Sequence, residues 1–242
     1  MIIWIASYPK SGNTYLRSFI SSYYFSKKGK FDFELLLNVL QFPSVKFVKG
    51  NLNSELEASQ NWIYNQKKFF GGEKVNFIKT HNSLNQYKGN NFTTNNLSLG
   101  AIYIVRDPRN LITSISNHYD KSIQESKKFL FTPRLIGTEP AENNVINLIG
   151  SWNEHYNFWT KSDLFKNKIL LIKYEDLVLD IEKQIEKILT FLNKYISVKA
   201  NKNKIKKIIE TTSFGNLQKM EKYENFKEGV YDNTKSKKVK FF

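Results

Sequence analysis

The sequence predicts an α/β fold with a mainly parallel central sheet covered by helices on both faces. Three observations carry this. Short apolar runs rich in Ile and Val recur without polar alternation, as strands buried on both faces do. Helical patterns separate them, which is the alternation that parallel β–α–β units require. The earliest unit in the chain is strand, polar loop, helix.

Ile2 to Ala6 is the first apolar run, closed by the turn cluster Ser7-Tyr8-Pro9-Lys10-Ser11-Gly12. Asn13 to Phe25 follows with Leu16, Phe19, Ile20 and Tyr23 at helical spacing. Val75–Lys79, Ala101–Val105 and Ile169–Lys173 are further buried-strand candidates. Leu111–His118, Val145–Thr160 and Ile181–Leu192 carry helical periodicity between and after them. Residues 82–98 and 120–144 are polar or broken by Pro and Gly, and read as surface excursions.

Lys+Arg 37 against Asp+Glu 22 gives a formal charge of +15 over 242 residues, a field that favours anionic partners. No basic cluster is interleaved with aromatics, so nucleic acid is not the expected partner. With no cysteine there is neither a disulfide nor a thiolate site, and the cytoplasm is the expected compartment. No apolar run reaches the ~18 residues of a membrane span.

Three segments carry chemistry. A loop between strand end and helix start gathers backbone N–H groups at the positive end of the helix dipole. In Tyr8-Pro9-Lys10-Ser11-Gly12-Asn13-Thr14 that loop also holds a lysine, two hydroxyls and a glycine that permits close approach. Its lysine precedes the glycine, so it is not a Walker A motif. A polar turn with a helix cap is the plainer alternative. Second, Val105-Arg106-Asp107-Pro108-Arg109 places two of the chain's four arginines at one strand end, with Ser114 further along the helix. Arginine's planar fork suits phosphate, although an Arg–Asp surface pair would use the same residues. Third, Lys79-Thr80-His81 puts one of only three histidines just past a strand, where α/β enzymes place their chemistry. A structural histidine is the alternative there.

Together these segments resemble the cytosolic-type sulfotransferase family, in the family's order and over nearly the whole chain. The first loop resembles its 5′-phosphosulfate loop, with Asn13 and Tyr15 where the family has Thr and Trp. Lys79-Thr80-His81 resembles its Lys-Thr-His segment, and Gly150-Ser151-Trp152 with His155 its Gly-Ser-Trp-x-x-His helix. Lys173-Tyr174-Glu175-Asp176-Leu177 resembles its Tyr-Glu-Asp segment, and Thr211-Thr212-Ser213-Phe214 its Thr-Ser-Phe segment.

The resemblance implies a P-loop NTPase-like fold in a single domain over 1–242, with a sheet of about five strands. It implies sulfuryl transfer from 3′-phosphoadenylyl sulfate to a hydroxyl or amine of a small-molecule or glycan acceptor, without a metal. By the same likeness Lys10 stabilises the leaving oxygen, Lys79 neutralises the transferring group and His81 is the base. Ser11, Gly12, Asn13 and Thr14 would hold the 5′-phosphate, and Arg106 with Ser114 the 3′-phosphate. Tyr15, Tyr174, Thr212 and Phe214 would surround the adenine. Acceptor choice would fall to the Phe-, Tyr- and Leu-rich segments 31–70 and 120–144, which favour an apolar or aromatic alcohol.

Three alternatives stand beside this. A P-loop nucleotide kinase would need an acidic metal ligand, for which Asp107, inside the Arg-Asp-Pro-Arg turn, is the nearest candidate. A non-enzymatic anion or nucleic-acid binder driven by the +15 charge would show steep salt dependence and no preference for a 3′-phosphate. The third is a sulfotransferase that binds its donor but turns over poorly. In the family an Arg-Lys-Gly loop clamps the 3′-phosphate, whereas here the chain reads Val239-Lys240-Phe241-Phe242, with Phe226-Lys227-Glu228-Gly229 as an imperfect substitute. The expectation is weak donor binding.

Overall fold

The structure, a computed structural model, describes residues 1–47, 54–133, 136–138, 146–197, 201–223, 231–232 and 237–238. Strands β1 (Ile2–Ser7), β2 (Leu40–Gln41), β3 (Asn76–Thr80) and β4 (Ser98–Val105) are followed by the hairpin β5 (Ile136–Thr138)–β6 (Ile146–Leu148), by β7 (Ile169–Lys173), and by the pair β8 (Tyr231–Asp232)–β9 (Lys237–Lys238). The main sheet has the order β2-β3-β1-β4-β7, parallel at every pairing. All its strands therefore end on one edge, and β1 ends between β3 and β4. That is the crevice where ligands of open α/β sheets bind.

The helices are α1 (Asn13–Phe25), α2 (Glu55–Phe70), α3 (Pro108–Tyr119), α4 (Ile123–Phe131), α5 (Trp152–Thr160), α6 (Tyr174–Leu179), α7 (Ile181–Leu192), α8 (Lys202–Thr211) and α9 (Phe214–Tyr223). Alternation along β1 divides them between two faces. Ile3 and Ile5 join a core with Leu16, Phe19 and Ile20 of α1, Ile185 and Ile188 of α7, and Ile208 of α8. Ile2, Trp4 and Ala6 join the opposite core with Trp62 of α2 and Trp159 of α5. Trp4 is fully buried, and its indole donates to Ser98 Oγ at 2.8 Å. A third cluster sits over the site edge, formed by Tyr8, Leu111, Ile115, Leu130 and Ile149.

The four expected strands and the helices at 13–25, 111–118 and 181–192 are present, within a few residues at their ends. Three expectations are corrected. The pattern read as one helix over 145–160 is strand β6, a turn at Gly150 with φ 75, and then α5. Ser151 starts that helix through a capping box with Glu154, a stop-and-start signal that periodicity alone passes over. The segment 31–70, read as acceptor loops, contains α2 capped by Ser54, and 120–144 contains α4 capped by Ser122. Residues 82–98 are not a surface excursion throughout, because Phe92 is buried against Trp4 and Trp62.

Candidate active site

Gly12 caps α1 with φ 93 and offers no side chain, so no side-chain hydrogen bond closes the helix start. Its φ suits glycine, and a Cβ there would stand 2.3 Å from Tyr174 Cδ2, so the aromatic ring needs the missing side chain as much as the backbone does. Lys10 holds φ 65 without being a glycine, a strained conformation of the kind that collects at functional loops. Arg106 Nη1 donates to the Lys10 carbonyl at 3.3 Å, and its guanidinium lies 4.5 Å from the Tyr174 ring centre. The loop after β1, the turn after β4 and the start of α6 are thus one packed unit.

Two buried polar atoms in this unit have no hydrogen-bond partner: Ser11 Oγ and Arg106 Nε. Leaving such groups buried and unmade costs on the order of 1–3 kcal/mol each, more for a charge. An anionic ligand with acceptor oxygens at both places removes that cost, so the residues present fit a doubly phosphorylated group.

Beside the loop, Lys79 at the end of β3 is buried, 7% exposed. Ser7 ends β1 next door, and His81 Nδ1 lies 2.8 Å from the Ser7 carbonyl and 3.2 Å from Ser7 Oγ. A carbonyl only accepts, so Nδ1 carries the proton and the lone pair is on Nε2. In this tautomer Nε2 is the nitrogen with acceptor character.

Several expected site residues are placed differently. The Asn13 side chain turns inward, donating to the Ile5 carbonyl and Ser7 Oγ, both at 3.1 Å, so only its backbone N–H can serve a phosphate. Tyr15 is no open platform. It is 8% exposed, packs edge-on against Phe19 at 4.9 Å, and burial followed by the neighbouring Tyr174 pushes its hydroxyl up to about 12. Thr212 is fully buried and its hydroxyl donates to the Ile208 carbonyl at 2.7 Å, which ends α8 rather than meeting a ligand. Phe214 stands 46% exposed at the start of α9. Ser114 is half-buried on α3, and Thr14 is buried in the first turn of α1. Arg109 is a surface residue paired with Asp107 at 2.5 Å, as the plainer reading of that turn had it. The segments 226–229 and 239–242, where the clamp was sought, lie outside the described residues.

Four residues make contacts at the site to which the sequence reading gave no role. Arg17, buried one turn into α1, donates to Asn13 Oδ1 at 2.9 Å and Thr14 Oγ1 at 3.0 Å. Its i–4 and i–3 spacing to the loop was the available signal. Glu175 accepts from the Asp107 N–H at 3.1 Å and so holds the turn that carries Arg106. His118 lies 3.2 Å from Lys10 Nζ. His155 reaches the His81 carbonyl.

The sulfotransferase domain family matches residues 2–241. Luciferin sulfotransferase of Photinus pyralis is 25% identical over 236 residues, covering 89% of this chain and 56% of that protein. Cytosolic sulfotransferase 1 of Danio rerio is 23% identical over 217 residues, covering 86% and 64%. This chain therefore spans roughly three fifths of those relatives' length. Among solved structures, mouse sulfotransferase SULT7A1 complexed with PAP superposes with a TM-score of 0.57 at 22% identity, over 89% of this chain and 65% of that one, a likeness of fold. Over nearly its whole length, then, this chain belongs to the sulfotransferase family.

Proposed function

We propose that the chain is a single domain, 1–242, that transfers a sulfuryl group from 3′-phosphoadenylyl sulfate to a hydroxyl or amine of a small-molecule or glycan acceptor. The observation that carries the reading is the pair of unpartnered buried donors, Ser11 Oγ and Arg106 Nε, in the unit built around a helix start with no side-chain cap. Membership of the family and the names of the relatives support it.

The donor, when bound, supplies a sulfuryl group joined through a bridging oxygen to a 5′-phosphate. Ser11 and the first-turn N–H groups of α1 hold that phosphate, while Arg106 and Ser114 hold the 3′-phosphate. Phe214 and Tyr174 flank the base. In line with this clamp, the bond from acceptor to sulfur forms as the bond from sulfur to bridging oxygen breaks. His81 takes the acceptor's proton at Nε2. Lys10 sits beside the charge that develops on the leaving oxygen, and Lys79 beside the transferring group. Two lysines and a helix dipole supply the positive charge, so no metal is needed in this scheme.

The kinase alternative loses its candidate ligand, because Asp107 caps α3 and is held by Arg109. That side-chain contact first, and the Arg109 backbone N–H second, lower its carboxyl to about 2. Among the described residues no helix is long and apolar enough to cross a membrane. The cytoplasm is the compartment this reading expects, in keeping with a chain without cysteine. A titration with 3′-phosphoadenosine 5′-phosphate against ADP tests the donor assignment. Preference for the 3′-phosphate by about tenfold or more, lost in Arg106→Ala, is expected. Equal binding of the two nucleotides contradicts it.

A further inference from the structure

We propose that His155 is a positioning residue for transfer: backed by Tyr103, it holds the main chain of His81 so that the His81 imidazole keeps one tautomer and one place. The inference rests on His81 being the base, as proposed above.

His155 stands in α5 and is fully buried. Its Nε2 lies 3.1 Å from the His81 carbonyl oxygen, and its Nδ1 lies 2.8 Å from the Tyr103 hydroxyl. The carbonyl can only accept, so Nε2 carries the proton and Nδ1 carries the lone pair. Tyr103 must then donate. Each atom in this row has one workable role, and the chain of donors runs from Tyr103 through His155 to His81. Burial pushes the His155 ring down to about 3, so it stays neutral and its roles do not change at ordinary pH.

A buried histidine satisfied by a tyrosine and a carbonyl is usually a core residue and nothing more. What separates this one is the carbonyl it holds. β3 ends at Thr80, so the sheet no longer fixes the backbone at His81. α5 takes over: one turn on from His155, the Trp159 indole donates to the next carbonyl, that of Asn82, at 3.1 Å. The backbone of His81 is thus held from the α5 side, while its ring is held from the β1 side by the Ser7 carbonyl at 2.8 Å. Loosening one anchor lets the ring leave the other. Displacement of a catalytic group by about 1 Å can cost roughly a hundredfold in rate.

The test pairs imidazole ¹⁵N spectra with kinetics. The chain has three histidines, so substitution assigns every signal. In the wild type we expect His81 with its proton on Nδ1 and His155 with its proton on Nε2. His155→Asn keeps an amide near Tyr103 but does not reach His81. It should average the His81 tautomers and lower kcat roughly tenfold or more, with affinity for 3′-phosphoadenosine 5′-phosphate within about twofold. His155→Gln, whose amide reaches about as far as Nε2, should restore most of the rate. Tyr103→Phe, a milder change if the asparagine variant does not fold, should move the His81 signals in the same direction. An unchanged His81 pattern in folded His155→Asn or in Tyr103→Phe overturns the proposal. So does a loss of nucleotide affinity in step with turnover, or a wild-type His155 protonated on Nδ1. If the wild type shows these tautomers and this response yet transfers no sulfuryl group, the positioning stands and the reading of the reaction falls.

Discussion

The ammonium of Lys10 lies 3.2 Å from Nδ1 of His118, joining the loop after β1 to α3. An ammonium only donates, so His118 accepts and is neutral. Burial first, and the charge of Lys10 second, push its ring down to about 4. Unfolding returns it to about 6.5, so between those values the unfolded chain binds the extra proton. Stability therefore falls as pH drops from about 6.5 to about 4, by up to ~1.4 kcal/mol per pH unit for each such histidine. His155, down to about 3, acts in the same sense. Urea midpoints measured across that window should fall, and should fall less in His118→Asn. A flat profile contradicts the buried neutral pair.

The proposed reaction puts Lys10 at the leaving oxygen rather than at a binding contact. Lys10→Ala should lower turnover far more than it lowers donor affinity, the mark of an interaction made in the transition state. Single-turnover rates set beside a nucleotide titration read the two separately. Equal losses would make Lys10 an anchor.

Gly12→Ala meets two obstacles, a φ of 93 and a Cβ position 2.3 Å from Tyr174 Cδ2. We expect a loss of roughly 1–3 kcal/mol in stability from the strain, together with weaker nucleotide binding as Tyr174 is displaced. Thermal melts and titrations check both. Wild-type behaviour would mean that the ring moves aside at no cost.

Arg17→Met should harm the site from below. It strips the Asn13 and Thr14 side chains of a buried donor at 2.9 and 3.0 Å. The expected cost is about 1–3 kcal/mol of stability, with reduced affinity for 3′-phosphoadenosine 5′-phosphate. An effect on stability alone would show that the phosphate loop does not lean on Arg17.

The parallel sheet was legible because its strands are buried on both faces, which leaves long apolar runs such as Ile102-Tyr103-Ile104-Val105. The loop, Arg106 and His81 were legible because strand ends and a helix start mark where ligands bind. Most of what the sequence hid is tertiary. Thr212 spends its hydroxyl on the Ile208 carbonyl one turn back, a local bond that a resemblance of motifs passes over, while nothing in the motif says that Asn13 will turn toward Ile5. Tyr15 carries the family position of an aromatic platform, yet the spacing that puts it there also puts it against Phe19. His155 and Tyr103 meet across 52 residues, a separation that no periodicity registers. α2 was missed because its apolar face, Ala58, Trp62 and Phe70, is sparse among Glu, Gln, Asn and Lys.

The central claim is sulfuryl transfer driven by lysine and histidine, and transfer of ³⁵S from labelled 3′-phosphoadenylyl sulfate tests it most directly. The assay runs across phenols, aliphatic alcohols, amines and glycans, in the presence of a chelator. The account predicts labelled product with at least one acceptor class, undiminished by the chelator. Product should be lost in His81→Ala, while that variant still binds 3′-phosphoadenosine 5′-phosphate nearly as the wild type does. Wild-type turnover in His81→Ala, or transfer that stops when divalent metal is removed, would contradict it.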